Sequence, residues 1–307
     1  MLGPIVRINP DELHIRDPDY YGTVYAGGGR RVNKYVGSVA AYTVPRSTIA
    51  AVDHDMHRAR RAMLSPYFSR KATTALEPLV HERIDRLCER FEECRSKGTV
   101  IDLDGAFAAM TCDVINAYFY GRHEDLLGSE EFKFAVRDAI VGLAEFYHTT
   151  RFLPALANAI KKLPIPVLRM VQPGAAHMLQ SEVEMKETIK ATLLEDAKEG
   201  PESATRSRSV ILSALRGPHL PAEENDIDRL VDEGTTIIFA GTETTARTLS
   251  TTMFYLLRDK TILARLRGEL ASLVSGPLEE YTYSKLEALP YLVSMPTPKN
   301  DFERSSS

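Results

Sequence analysis

The sequence predicts a mainly α-helical protein with a small β part. Three observations carry that class. The run from Asp226 to Arg258 contains no proline and, as one helix, extends roughly 50 Å. Apolar residues recur at steps of three and four in two further stretches, Leu76 to Phe91 and Phe107 to Tyr118, the spacing of amphipathic helices. Strand-like residues are confined to the first few turns of chain.

In order, Ile5-Val6-Arg7-Ile8-Asn9 and Glu12-Leu13-His14-Ile15 flank Pro10-Asp11 and predict two short strands joined by a turn. Leu76, Leu79, Val80, Ile84, Leu87 and Phe91 give one helical face and predict a helix over 72–91. Phe107, Met110, Val114, Ile115 and Tyr118 give a second, with Asp102 or Asp104 as its cap. Further helices are expected over 129–147, 175–198, 209–215 and 261–275. The stretch Phe152 to Pro173 holds four prolines and is expected to be broken.

The 307 residues, 44% hydrophobic and 26% charged, suffice for a substantial core. A net charge of -4 lacks the basic character of a nucleic-acid binder. No apolar run reaches the ~18 residues of a membrane helix, and Met1-Leu2-Gly3-Pro4 does not begin a secretory signal. A cytoplasmic chain without a membrane span is therefore expected. Cys88, Cys94 and Cys112 have no metal-type spacing and are expected as free thiols.

Two segments carry chemistry. Phe239-Ala240-Gly241-Thr242-Glu243-Thr244-Thr245 departs from what suits a helix interior: glycine costs about 1 kcal/mol against alanine, and threonine hydroxyls turn onto carbonyls of the preceding turn. Ala240 and Thr244 share a face with Gly241 beside them, so a flat ligand can approach the backbone. The competing reading is a helix crossing, where small residues permit close packing and Glu243 pairs with an arginine. The second segment runs from Asp53 to Ser69. His57 and Arg61, four apart, present two donors to one anion. Its competitors are a solvated basic face and a metal site of His54, His57 and the flanking aspartates, which the adjacent arginines oppose by charge.

Together the two segments resemble signatures of the cytochrome P450 family, especially its fungal branches. Ala240, Gly241, Thr242, Glu243 and Thr244 match the Ala/Gly-Gly-x-Asp/Glu-Thr of its distal helix, and His57 and Arg61 match its Trp/His-x-x-x-Arg. The resemblance runs from Gly3 to Leu292 and implies the N-terminal and middle portion of the cytochrome P450 fold, incomplete, as a partial domain over 1–292. It implies haem b as cofactor, with a propionate held by His57 and Arg61 and the distal face bordered by Ala240, Gly241 and Thr245. Glu243 and Thr244 would assist proton delivery to oxygen. It further implies a small, lipophilic organic substrate meeting the loops 30–48 and 146–172, and electrons from a flavoprotein reductase docking near Arg58 and Arg60. Full-length relatives are commonly anchored to the endoplasmic reticulum membrane.

After Leu292 the resemblance stops. Where the family has Glu-x-x-Arg the sequence places Pro298 and Asp301, and proline breaks the helix that motif needs. The Phe-x-x-Gly-x-Arg-x-Cys-x-Gly segment that supplies the iron's thiolate is absent. The expectation is a C-terminally truncated chain without oxygenase activity, its residues 293–307 a disordered, non-family tail of the kind a translated intron would give. Two other classes compete: a non-enzymatic binding fragment, and a helical metal hydrolase built on His54, His57 and Glu243.

Overall fold

The computed structural model describes residues 3–25, 29–39, 42–121, 125–132, 135–199, 224, 226–273 and 281–294. The expected strands form β1 (Ile5–Asn9) and β2 (Glu12–Ile15), an antiparallel hairpin pairing Ile5 with Ile15 and Arg7 with Leu13. The turn is closed by side chains: Asp11 N–H donates to Asn9 Oδ1 (2.9 Å), and Asn9 Nδ2 donates to Glu12 Oε2 (2.7 Å).

The remaining large elements are helices: α1 (His54–Leu64), α2 (Glu77–Lys97), α3 (Leu103–Tyr120), α4 (Ala135–Phe152), α5 (Pro173–Glu199), α6 (Ile227–Arg258), α7 (Lys260–Leu273) and the short α8 (Pro290–Ser294). The expected helix over 72–91 is divided. Ser69 caps a short helix, Arg70–Thr74, and α2 starts afresh at Glu77, where Pro78 sits in a first turn that needs no N–H from it. Gly98, at φ +65°, ends α2 in the left-handed conformation that glycine adopts without a Cβ penalty. Asp102, not Asp104, caps α3, accepting from Asp104 N (3.1 Å).

The helix expected over 129–147 begins later, at Ala135, behind two 3-10 turns in which Glu131 and Phe132 take positive φ (51° and 56°). The proline-rich stretch is broken as expected, into two short helices, Pro154–Lys161 and Ile165–Val171. The stretch 209–215 lies outside the described residues. Among the described residues no helix is long and apolar enough to cross a membrane.

The core lies where α3 and α6 run together, with α2 and α5 completing it. α3 is apolar nearly all round, the composition of a buried central helix. On α6 the buried residues Leu230, Gly234, Ile238, Thr242 and Ala246 repeat every fourth position, a single ridge facing α3. Close approach is explicit at two glycines of α6, Gly234 on this ridge and Gly241 beside it. A Cβ on Gly234 would stand 1.8 Å from the Tyr120 hydroxyl, and one on Gly241 would stand 2.0 Å from Ile115 Cδ1. Thr111 Oγ1 donates to the Thr242 carbonyl (3.2 Å), joining the helices by a buried hydrogen bond.

Candidate active site

Because the ridge at 230, 234, 238, 242 and 246 is committed to α3, the opposite face of α6 is left open. Ala240, Thr244, Thr245 and Thr248 are exposed there, while Glu243 stands at the edge, half-buried. Thr244 Oγ1 donates to the Ala240 carbonyl (2.6 Å) and Thr248 Oγ1 to that of Thr244 (2.9 Å), the back-bonding expected of threonine inside a helix. Glu243 Oε1 is 3.2 Å from the Arg247 guanidinium, which also lies 3.5 Å from Asp104 at the start of α3. Asp104 in turn accepts from Arg137 of α4 (2.8 Å). The helix-crossing reading is therefore realised in part: Gly241 gives its open side to Ile115, and Glu243 has an arginine partner. Ala240, Thr244 and Thr245 take no part in that crossing.

α1 is started by Asp53, whose Oδ1 accepts from Asp55 N (3.0 Å) and Met56 N (2.9 Å). Those backbone donors, Met56 foremost, hold its carboxyl below the usual range. The segment 31–34 lies against this helix start. His54 N–H donates to Asn33 Oδ1 (3.0 Å), Arg31 pairs with Asp55, and Lys34 N–H donates to the Val52 carbonyl (3.1 Å). The Lys34 ammonium turns inward to the carbonyls of Ile49 (2.6 Å) and Thr48 (3.3 Å).

His57 is half-buried and Arg61 exposed, on one side of α1. Burial first, then the charges of Lys34 and Arg61, push the His57 imidazolium below its ordinary range. Burial likewise lowers Lys34. Among the described residues none of Lys34, His57 and Arg61 has a carboxylate within ion-pair distance. Lys34 is the functional candidate that the sequence reading missed: it stands well ahead of the helix in an irregular segment, and only the fold brings its charge to His57.

Arg60 departs from expectation. Grouped with Arg58 as a docking residue, it is 8% exposed, whereas Arg58 is exposed. Its Nε and Nη2 donate to the two carboxylate oxygens of Glu224 (2.9 and 2.8 Å), so it is unavailable to a partner. The loops expected to meet substrate touch each other: the Tyr42 and Tyr147 rings lie 6.3 Å apart, centre to centre. Among the described residues no three of His, Cys, Asp and Glu converge as a metal site would need, and His54 Nδ1 accepts from Val32 N (3.5 Å). The three thiols lie on α2 and α3. Cys88 is exposed with its thiol pushed up by burial and the charge of Asp85, Cys94 is half-buried, and Cys112 is buried.

Comparison with known proteins gives this geometry a family. The family model of cytochrome P450 matches residues 4–295. Cytochrome P450 monooxygenase astB of Aspergillus terreus is 46% identical over 94% of the chain and 56% of its own length. Cytochrome P450 monooxygenase TRI4 of Trichoderma arundinaceum is 47% identical over 95% and 56%. The crystal structure of a cytochrome P450 superposes with a TM-score of 0.67 at 15% identity, over 96% of this chain and 65% of that one, a likeness of fold. The chain thus spans about half the length of the curated relatives it matches. The chain belongs to the cytochrome P450 family.

Proposed function

We propose that α1 and α6 carry the propionate side and the distal wall of a haem monooxygenase site acting on a small, lipophilic organic substrate. The observation that carries the reading is the pairing of Lys34, His57 and Arg61, three basic groups without a carboxylate partner among the described residues, with an open helix face of small and hydroxyl side chains. A site built for a dianionic edge needs positive groups that no carboxylate neutralises. The residues present therefore fit haem b along that edge, with Arg61 and His57 binding a propionate and Lys34 adding positive charge.

When bound, the haem supplies oxygen activation, which in this family depends on a cysteine thiolate. The chain's own groups do the positioning. Ala240, with Gly241 and Thr245 beside it, leaves room at the helix face. Thr244 keeps its hydroxyl proton on the Ala240 carbonyl and offers its lone pairs outward. Glu243, held by Arg247, is an acceptor at the edge of that face and can pass a proton. Arg58 is the exposed cation of α1 left to meet an acidic flavoprotein reductase.

The three cysteines lie on α2 and α3, on neither helix of the proposed site, and none of them is assigned as the iron's ligand. On this reading residues 1–292 are a partial P450 domain that carries the distal half of the haem site. The carbon monoxide difference spectrum of the reduced, hemin-loaded chain tests it. No thiolate-type Soret band is expected from these 307 residues, and a normal thiolate-type band would overturn the reading that none of the three cysteines is the iron's ligand. Binding of substrate without any haem band would favour the non-enzymatic binding fragment.

A further inference from the structure

Arg60 lies between His57 and Arg61 in sequence but is turned into the protein. At about 100° per residue it stands roughly 60° behind His57 and 100° behind Arg61 around α1. Burying Arg60 therefore turns His57 half out and Arg61 fully out, the exposures observed. All three nitrogens of its guanidinium are engaged. Beyond the two bonds to Glu224, Nη1 donates to the carbonyls of Arg46 (2.8 Å) and Ser47 (3.2 Å).

Glu224 is shared. Its Oε2 lies 2.7 Å from Arg229 Nε, in the first turn of α6, and Arg229 Nη1 donates to its carbonyl (3.2 Å). Arg229 is 1% exposed and faces Glu233 at 3.9 Å. Glu233, also 1% exposed, accepts from Thr48 N (2.9 Å) and Thr48 Oγ1 (2.8 Å). Two arginines and two glutamates thus close a charge-balanced network joining α1, the 46–48 backbone and α6. A buried network of this kind contributes little net stability against an apolar replacement, but the bidentate fork between Arg60 and Glu224 has one arrangement and fixes geometry there, whereas the buried Nε and Nη2 of Arg229 make no hydrogen bond among the described residues.

We propose that Arg60 is a positioning residue for haem binding: its fork to Glu224 and its bonds to the 46–47 backbone set the roll of α1, and with it the direction of His57 and Arg61 against the open face of α6. The inference rests on the propionate reading of His57 and Arg61.

The test titrates the 307-residue chain with hemin, following quenching of tyrosine fluorescence, in the wild type, Arg60→Lys, Arg61→Gln and the double variant. Lysine keeps the charge but has no planar fork. R60K is expected to weaken hemin binding about tenfold, the order seen when outer partners of a bound group are removed. The double variant is expected to lose clearly less than the sum of the two single losses, because with Arg61 gone only His57 is left for Arg60 to act through. Additive losses, or unchanged affinity in R60K, would overturn the proposal. If the wild type binds hemin no better than R61Q, the propionate reading itself has failed, and an NMR titration of His57 then decides the positioning claim without haem. R60K, and Glu224→Gln from the other side of the fork, should move the His57 titration upward toward the ordinary histidine range. An unmoved titration in both variants refutes the proposal.

Discussion

Asp113 of α3 is 1% exposed, and its two carboxylate oxygens accept from Leu126 N (3.1 Å) and Leu127 N (3.3 Å). Burial outweighs those bonds and the nearby charge of Arg83, pushing its carboxyl up to about 6. The folded protein therefore holds this proton more tightly than the unfolded chain, whose carboxyl titrates near ~3.9. Between those values the folded state binds more protons, so this group's contribution to stability declines as pH rises from about 4 to 6 and is lost above that window. Asp113→Asn removes the dependence. Urea unfolding at pH 4.5 and 7.5 should show the variant gaining on wild type by about 1–2 kcal/mol at the higher pH. An equal difference at both pH values would count against it. His57 and Arg61 were legible at this scale because their spacing alone puts them on one side of a helix. Arg60 was not: a run of basic residues looks solvated, and the glutamate that buries Arg60 is far away in sequence.

Helix pairing decides what the glycines of α6 are for. The Gly241 Cβ position is filled by Ile115 Cδ1, with Ile115 Cγ1 next at 3.3 Å. Gly241→Ala gains about 1 kcal/mol of helix propensity but forces an overlap worth about 1–3 kcal/mol. Net destabilisation is expected in the wild type, and a neutral or stabilising effect once Ile115→Val has removed Cδ1. A double-mutant cycle by urea unfolding measures both, and an equal effect in the two backgrounds would refute the packing role. Gly234 obeys the same logic. The Tyr120 hydroxyl beside it is buried without a partner among the described residues. Tyr120→Phe should cost little and should lessen the penalty of Gly234→Ala, because the ring carbon behind the hydroxyl stands 3.0 Å away, not 1.8 Å. Melting temperatures of the three variants decide this. The length of α6 follows from sequence alone, as does the face shared by Ala240 and Thr244. Which helix occupies the opposite face does not, because periodicity names a side and not a neighbour. The start of α2 was misplaced for a related reason: the apolar spacing continues across the break before Pro78.

At the scale of the whole molecule, apolar side chains remain uncovered at the end of α6, where Phe254, Tyr255 and Leu257 are each more than half exposed, and at Met170 and Val171 of the short helix 165–171. Contiguous apolar surface of this kind drives association. The isolated chain is expected to bind anilinonaphthalene sulfonate strongly and to scatter light increasingly with concentration, both reduced by Phe254→Ser with Leu257→Ser. Dye binding unchanged by that pair would place the adhesive surface elsewhere.

The unbroken course of α6 has a mechanical consequence. A rod held along one side by a neighbouring helix cannot swing but can slide along its axis, and Glu233, tied to Thr48, sets its axial position. A slide of about 1 Å at that point carries Thr244, eleven residues on, by the same distance, because the rise per residue of a helix is fixed. A misplacement of about 1 Å is enough to cost about a hundredfold in rate at a reacting centre. Substitutions around Thr48 and Glu224, remote from any chemistry, are in this sense adjustments to the aim of Thr244.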